Sequence, residues 1–526
     1  MIKGIKNDII AGFSVFLIAL PLCLGIAIAS NFPPISGIFT AIIGGILASL
    51  IGSSGLTIKG PAAGLIAIVL GAVQELGQGD LILGYKLTLA VGVIAALLQI
   101  FIAWMRKAVI AEVMPPSVIH GMLAAIGVII ISKQSYVLAG ISPLTSEPLK
   151  LLFHLPLEIA NLNPIIFAIG MLAFSIVLFW PKLKKVAFIP SSIIILPTVI
   201  VLSLYFNLSE EHIYNFLGNT YSVGPSFLIN LPMNFFDAIQ FPDFSQILSP
   251  VSLKYIIMFA LVGSIESLLT VCAVDSMAPS KQFSDLNKDL RALGIANLVS
   301  ACIGGLPMIS EIVRSKANID YGATSAKANF FHGVFMLLAV ILIPSVLNLI
   351  PLSALAALLI FIGFRLASPK EFAHAYEVGR DQLVFFITTF IVTLASDLLI
   401  GVAAGIFLKF LFHWIRGNSF KSLFSPLITI EKKEERTLIE IEGPLTFISY
   451  LKLKKTVEKL AKENKHIMIS FRAVTYLDHT VMKKIQTLSY EFKDVEIIIE
   501  ENQQLVQFYN HPLSTRGKFS LGNRLS

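Results

Sequence analysis

Ile9–Ala29 reads IIAGFSVFLIALPLCLGIAIA and carries no charged residue. A helix needs about 20 apolar residues to cross the hydrocarbon of a bilayer. The run is too long for the apolar core of a signal peptide and lacks a small-residue cleavage site, so it reads as a retained span. Working outward, Ile165–Trp180 and Val186–Phe206 also carry no charged residue, whereas Glu431–Ser526 is charged throughout. Of the 526 residues, 55% are hydrophobic and only 14% charged, with a mean hydropathy of +0.80. Soluble domains carry about a quarter charged residues. The pattern is that of a membrane body with a soluble C-terminal tail. The net charge of +7 is then no nucleic-acid footprint, because cytoplasmic loops of membrane proteins collect Lys and Arg. Cys23, Cys272 and Cys302 all lie in apolar segments and suggest neither a disulfide frame nor a zinc site.

Apolar segments fall at 8–30, 36–53, 60–75, 83–104, 109–132, 164–181, 186–206, 252–274, 288–304, 308–318, 326–346, 350–367, 382–397 and 399–416, fourteen expected spans. The double-length run Phe331–Phe364 is split near Pro351. Positive charge marks alternate loops. Lys3 and Lys6 precede the first span, and Arg106 and Lys107 follow the fourth. Lys182, Lys184 and Lys185 follow the sixth, Lys281, Lys288 and Arg291 the eighth, and Arg365, Lys370 and Arg380 the twelfth. The loop 207–251 holds Glu210, Glu211, Asp237 and Asp243 with no Lys or Arg. By the positive-inside rule both termini are cytoplasmic and this loop is outside.

The spans divide seven and seven about that loop. In each half the third span is short and opens on a helix-breaking sequence, Thr57-Ile-Lys-Gly-Pro-Ala-Ala-Gly64 and Gly304-Gly-Leu-Pro-Met-Ile-Ser-Glu311. Each alone could merely end a loop. As a pair at matching positions they point to a transporter's binding site, where two half-helix N-termini offer free N–H groups to an anion. Glu266 lies inside the otherwise apolar Phe259–Thr270, where a carboxylate costs about 2.5–3.5 kcal/mol on insertion scales. Thr270, one turn later, shares its helical face. Glu311 and Arg314 fall in the first turns of the second half-helix, where a carboxylate is electrostatically favoured. Lys59 precedes the first. Both Lys59 and Glu311 are costly at that depth, so they form a candidate charge pair across the site. Glu112, His120, His332 and Asp397 read as structural, with His332 packed and hydrogen-bonded and Asp397 marking a turn.

The ordered series Asp8-Ile-Ile-Ala-Gly12, Ala19-Leu-Pro21, Pro33-Pro-Ile-Ser-Gly37, Gly60-Pro-Ala-Ala63, Glu266-Ser-Leu-Leu269, Gly294-Ile-Ala-Asn297, Gly304-Gly-Leu-Pro307, Arg314-Ser315 and Asn318 resembles the sulfate permease (SulP) family of anion transporters. The resemblance implies a polytopic α-helical membrane protein of two inverted seven-span repeats (about 1–206 and 252–416), arranged as core and gate domains that move as an elevator. Substrate would lie between the third and tenth spans, which gives Gly60, Pro61, Ala62 and Ala63 with Ser310, Glu311 and Ile312. Gly263–Thr270 is similar to the cation-site stretch of cyanobacterial sodium-dependent bicarbonate transporters, implying that Glu266 and Thr270 bind Na⁺ or that Glu266 exchanges H⁺. The sequence departs from those relatives at Ala62, which replaces a threonine, and at Glu311-Ile312, which replace Ala-Thr. Lys59 stands where family members commonly have serine. Two hydroxyl contacts are lost and charges gained, so substrate identity does not carry over with the family.

The membrane domain is expected over 1–416, a linker over 417–434 and the soluble domain over 435–526. Within the tail, Thr437–Glu442 alternates as a strand. Leu451–Ala461 is an amphipathic helix, and His466–Phe471, His479–Phe492 and Val495–Glu500 read as strand, helix and strand. This α/β pattern, with Gly443-Pro-Leu-Thr-Phe447 and Tyr476-Leu-Asp-His-Thr480, resembles a STAS domain. His479 stands where soluble members carry a phosphorylatable serine, so that switch is not expected. The tail would support homodimerisation or binding of a cytoplasmic protein partner.

No P-loop and no catalytic constellation is present in the sequence. The expectation is a non-enzymatic, plasma-membrane secondary transporter of a small inorganic anion of the bicarbonate or sulfate class, coupled to Na⁺ or H⁺ and needing no other cofactor. An anion exchanger or channel-like conductor, or a receptor acting through the tail, are the alternatives.

Overall fold

The computed structural model describes residues 2–108, 114–142, 147–183, 190–278, 283–396, 398–416, 426–432, 437–461, 466–492, 495–500, 502 and 504–518. Glu112, Lys184, Lys185, Lys281, Asp397 and residues 417–425 and 433–434 of the expected linker lie outside them. The chain forms two compact units, Met1–Ala108 with Ile126–Ala367, and Val109–Ala125 with Ser368–Ser526.

The first unit opens with α1 (Ile2–Ala29), α2 (Pro34–Ile51), the short strand β1 (Ile58–Pro61), α3 (Ile66–Gly77) and α4 (Leu81–Trp104). Helix α5 (Pro116–Ala139) contributes to both units, and α6 (Pro148–Glu158), α7 (Pro164–Phe179) and α8 (Ser191–Tyr205) follow. After the loop come α9 (Pro250–Met277), α10 (Leu286–Cys302), the strand β4 (Met308–Glu311), α11 (Ile312–Asp320), α12 (Lys327–Leu342), α13 (Pro344–Leu347) and α14 (Leu352–Leu366). The loop itself holds a hairpin of β2 (His212–Phe216) and β3 (Asn219–Val223), turned at Leu217 and Gly218 with φ of 49° and 83°.

Among the described residues, eight helices are long and apolar enough to cross a membrane, with three shorter apolar helices beside them. The other three expected spans fold as α10, α11 and α16 (Arg380–Ala395). Of these, α11 has nine residues, far short of the roughly 20 that a crossing needs. It is short because the chain before it runs as a strand. The long run Phe331–Phe364 breaks where expected, with Pro351 as the N-cap of α14. Leu97, Phe101 and Trp104 of α4 and Val201, Leu204 and Tyr205 of α8 are exposed, as lipid-facing side chains are. Inward, Leu20, Leu24, Ile38, Phe39 and Met336 pack α1, α2 and α12 into one apolar cluster. Asp8 is buried because it caps the chain before α12, accepting from Thr324 N–H at 2.6 Å and Ser325 Oγ at 2.5 Å.

The second unit contains α15 (Pro369–Val378), α16 (Arg380–Ala395), α17 (Leu398–Ile415) and a C-terminal sheet. The expected linker is partly a strand. Its residues Leu427–Lys432 form β5, antiparallel to the nine-residue β6 (Thr437–Leu445), because Ile428 and Ile430 pair with Ile441 and Ile439. β6 pairs in parallel with β7 (His466–Ser470) and β8 (Val474–Leu477), and β7 with β9 (Glu496–Glu500). Two-residue strands β10 (Val506–Gln507) and β11 (Arg516–Gly517) extend the β8 edge. Helices α18 (Tyr450–Leu460) and α19 (His479–Glu491) bury Leu453, Val457, Val481 and Leu488 against Ile439, Ile441 and Ile469.

Asp478 caps α19 and accepts from Thr480 N–H at 3.2 Å. Its carboxylate also meets Lys409 Nζ of α17 at 2.9 Å, and His413 Nε2, one turn on, lies 3.6 Å away. Burial would raise this carboxyl, but Lys409 and His413 hold it well below the usual carboxylate range. Arg416 bridges Asp381 at 2.9 Å and the Tyr476 hydroxyl at 3.0 Å. His479 is buried, which lowers it to about 4, and its Nδ1 lies 2.7 Å from the Leu513 carbonyl.

Candidate functional site

The two helix-breaking sequences meet. β1 and β4 pair antiparallel, with Ile58 opposite Glu311, Lys59 opposite Ser310, Gly60 opposite Ile309 and Pro61 opposite Met308. Gly and Pro keep each segment extended, so the backbone satisfies itself across the ladder instead of within a helix. From this crossing the chain enters one half-helix through a 3₁₀ turn at Ala63–Leu65 and the other at Ile312. Asp80, Asn163, Ser249 and Asp285 cap their own helices, α4, α7, α9 and α10. Here the N-cap residues are Ala62 and Glu311, and neither makes a side-chain cap bond. The N–H ends that would attract an anion are thus left uncapped by their own residues.

Neighbouring helices hold the crossing in place. Asn297 of α10 accepts from Met308 N–H at 2.7 Å and donates to the Met308 carbonyl at 3.2 Å and to Gln99 at 2.9 Å. Ser267 of α9 accepts from Ser310 N–H at 3.0 Å and shares a hydroxyl bond with Ser310 Oγ, also 3.0 Å. Ser315 joins the two segments, accepting from Ile58 N–H at 2.8 Å and donating to the Glu311 carbonyl at 2.6 Å.

Arg314 lies buried across the crossing. Its Nη2 donates to the Pro61 carbonyl, its Nη1 lies 3.5 Å from Cys23 Sγ, and Glu311 Oε1 is 3.6 Å away. Gly60 leaves the room, since a Cβ there would stand 2.7 Å from Nη1. Glu266 is 7% exposed and comes in from α9 against Gly64. A Cβ on Gly64 would lie 2.6 Å from both its carboxylate oxygens. Oε1 of Glu266 finds no hydrogen-bond partner among the described residues. Thr270 is buried one turn further along α9. Gly60, Pro61, Ala62, Ala63 and Ser310 are buried at the crossing, whereas Ile312 is 45% exposed.

The expected Lys59–Glu311 pair does not form. Lys59 Nζ instead lies 3.0 Å from Asp289 Oδ1 and 3.0 Å from Thr57 Oγ1, all buried, and Glu311 pairs with Arg314. Alternation explains this. Successive side chains of a strand point to opposite faces, and Glu311 stands opposite Ile58, so Lys59 is turned towards α10. Asp289 opens α10, which packs against α2, and its pairing with Lys59 joins residues 230 apart in sequence, so no local pattern reveals it. Arg314 was visible as a charge within an expected span, but its reach across Gly60-Pro61 was not. His332 is buried as expected, yet neither ring nitrogen has a partner among the described residues. His120 pairs with Glu371 at 2.9 Å.

Two unwound segments crossing inside a body of apolar helices define a multi-span membrane transporter. Residues 5–389 match the model of the sulfate permease family and residues 428–507 that of the STAS domain. The chain belongs to the sulfate permease family, with a STAS domain at its C-terminal end. It is 27% identical over 484 residues to the putative sulfate transporter YvdB of Bacillus subtilis (strain 168), covering 91% of this chain and 87% of the relative. It is 24% identical over 412 residues to the bicarbonate transporter BicA of Picosynechococcus, covering 77% of this chain and 69% of the relative. The fold matches the transmembrane domain of a cyanobacterium bicarbonate transporter BicA at a TM-score of 0.63 and 22% identity, over 77% of this chain and 98% of that one.

Proposed function

We propose that the protein carries a small inorganic anion of the bicarbonate or sulfate class across the plasma membrane as a secondary transporter coupled to Na⁺ or H⁺. The observation that carries this is the uncapped meeting of two half-helices beside buried Arg314, with a Glu266 oxygen, which has no hydrogen-bond partner among the described residues, against Gly64. The half-helix N–H groups and the guanidinium supply donors that replace an anion's hydration. Glu311 meets the Arg314 guanidinium, and the Glu266 carboxylate is buried against Gly64 with no salt-bridge partner among the described residues, so an added anion needs a compensating cation. Glu266 can take a proton on its free oxygen or lend that oxygen to Na⁺, with Thr270 beside it. The names of the relatives, a putative sulfate transporter and bicarbonate transporters, favour those two substrate classes. The half-helices would travel together as an elevator, with both termini cytoplasmic. The STAS domain would serve homodimer formation or a cytoplasmic protein partner.

The test is uptake of labelled bicarbonate and sulfate into proteoliposomes under imposed Na⁺ or pH gradients. Accumulation against the anion's own gradient, driven by one of the two cations, is the expected result. Glu266→Gln should insert normally but lose that accumulation, and cation-driven uptake by this variant would overturn the coupling role. Flux without accumulation would mark an exchanger or conductor, and no flux a receptor acting through the STAS domain.

A further inference from the structure

An anion reaching the crossing meets a carboxylate already there. Glu311 ends β4, and its side chain turns back to the strand crossing, where Arg314 lies 3.6 Å away. The backbone N–H of Ala63, at the uncapped start of the other half-helix, lies beside the same carboxylate. Arg314 cannot swing away freely, because it is also held by the Pro61 carbonyl and boxed in over Gly60. The guanidinium and the free N–H end, the two features that attract an anion here, therefore converge on Glu311. A carboxylate has the charge and paired oxygens of a small oxyanion. Nearby, Glu266 is more than nine-tenths buried, is repelled by Glu311, and leaves Oε1 without a partner among the described residues. That arrangement has more acceptors than donors, and it suits a site that still has a ligand to receive.

We propose that Glu311 is a tethered counter-anion, which fills the transported anion's place and must be displaced from Ala63 and Arg314 when the anion binds. The proposal rests on the anion-transport function above and names the residue that sets its affinity and selectivity. Displacing a carboxylate disfavours weak competitors. It favours oxyanions, which can engage the N–H end and the guanidinium with two oxygens, over halides, which offer a single centre.

Reconstituted full-length protein and its Glu311→Gln and Glu311→Ala variants decide the matter through uptake of labelled bicarbonate and sulfate. Glu311→Gln keeps the side-chain shape and removes the charge, and should half-saturate at an anion concentration at least about tenfold lower than wild type. Glu311→Ala opens the place itself, so formate or acetate should inhibit its uptake competitively while leaving wild type unaffected. Wild-type uptake combined with an unchanged or weaker apparent affinity in Glu311→Gln, and no formate or acetate inhibition in Glu311→Ala, would overturn the proposal and leave anion transport standing. Absence of uptake by all three proteins would overturn the transport function, and the proposal with it.

Discussion

Lys59 and Asp289 form a buried pair with no more than 2% of either side chain exposed. Removing one partner strands the other charge in a low-dielectric interior, which costs about 3–5 kcal/mol. Lys59→Met and Asp289→Asn are each expected to lower thermal stability by about that much. Lys59→Asp combined with Asp289→Lys should recover most of the loss, and more than Lys59→Glu combined with Glu311→Lys. Melting curves of the purified full chain check this, and a swap no more stable than the single variants would contradict it. His479 shows the same logic of environment. Buried against the Leu513 carbonyl and lowered to about 4, it sits neutral in the wall of the domain, where a modifiable side chain would have to be accessible.

At the level of elements, the site is made by what two segments decline to do. Gly60-Pro61 and Leu306-Pro307 stop the helix, the strands β1 and β4 pair with each other, and the half-helices begin where the ladder ends. The approach of α9 to the first half-helix depends on the missing side chain at Gly64. Gly64→Ala places a methyl 2.6 Å from both Glu266 oxygens and is expected to displace that carboxylate. Coupled uptake should fall at least tenfold while the variant still purifies as a folded protein. Wild-type uptake by Gly64→Ala would show that Glu266 need not sit there.

At the level of the whole molecule, the C-terminal domain is tied to helix α17 by charge. Asp478, Lys409 and His413 share one buried cluster, and Arg416 adds a second tie through Asp381 and Tyr476. Asp478→Asn leaves Lys409 uncompensated and is expected to cost about 3–5 kcal/mol, read as a lower melting temperature of the full chain. Lys409→Met introduced with Asp478→Asn should regain part of it. Truncation after Gly417 removes Asp478 altogether and should reproduce the deficit. A truncated protein as stable as the full chain would show that these ties contribute little.

Sequence alone determined the membrane body, its interruptions and the α/β tail, because each follows from local rules: apolar length, loop charge, helix-breaking Gly-Pro and Leu-Pro, and strand alternation. It also marked Glu266, Thr270, Lys59 and Glu311, since an ionisable group in an apolar run is conspicuous by its cost. Which charge meets which was decided only by the tertiary structure. Lys59 finds Asp289 and Asp478 finds Lys409 through contacts between residues far apart in sequence, whereas Glu311 is left to Arg314, three residues on, because the register of β1 and β4 turns Lys59 to the other face. Short strands such as β8, β10 and β11, and the β5 that replaced part of the linker, escaped for the same reason. A strand of two to six residues has little pattern of its own, and its partner across the sheet gives it its hydrogen bonds.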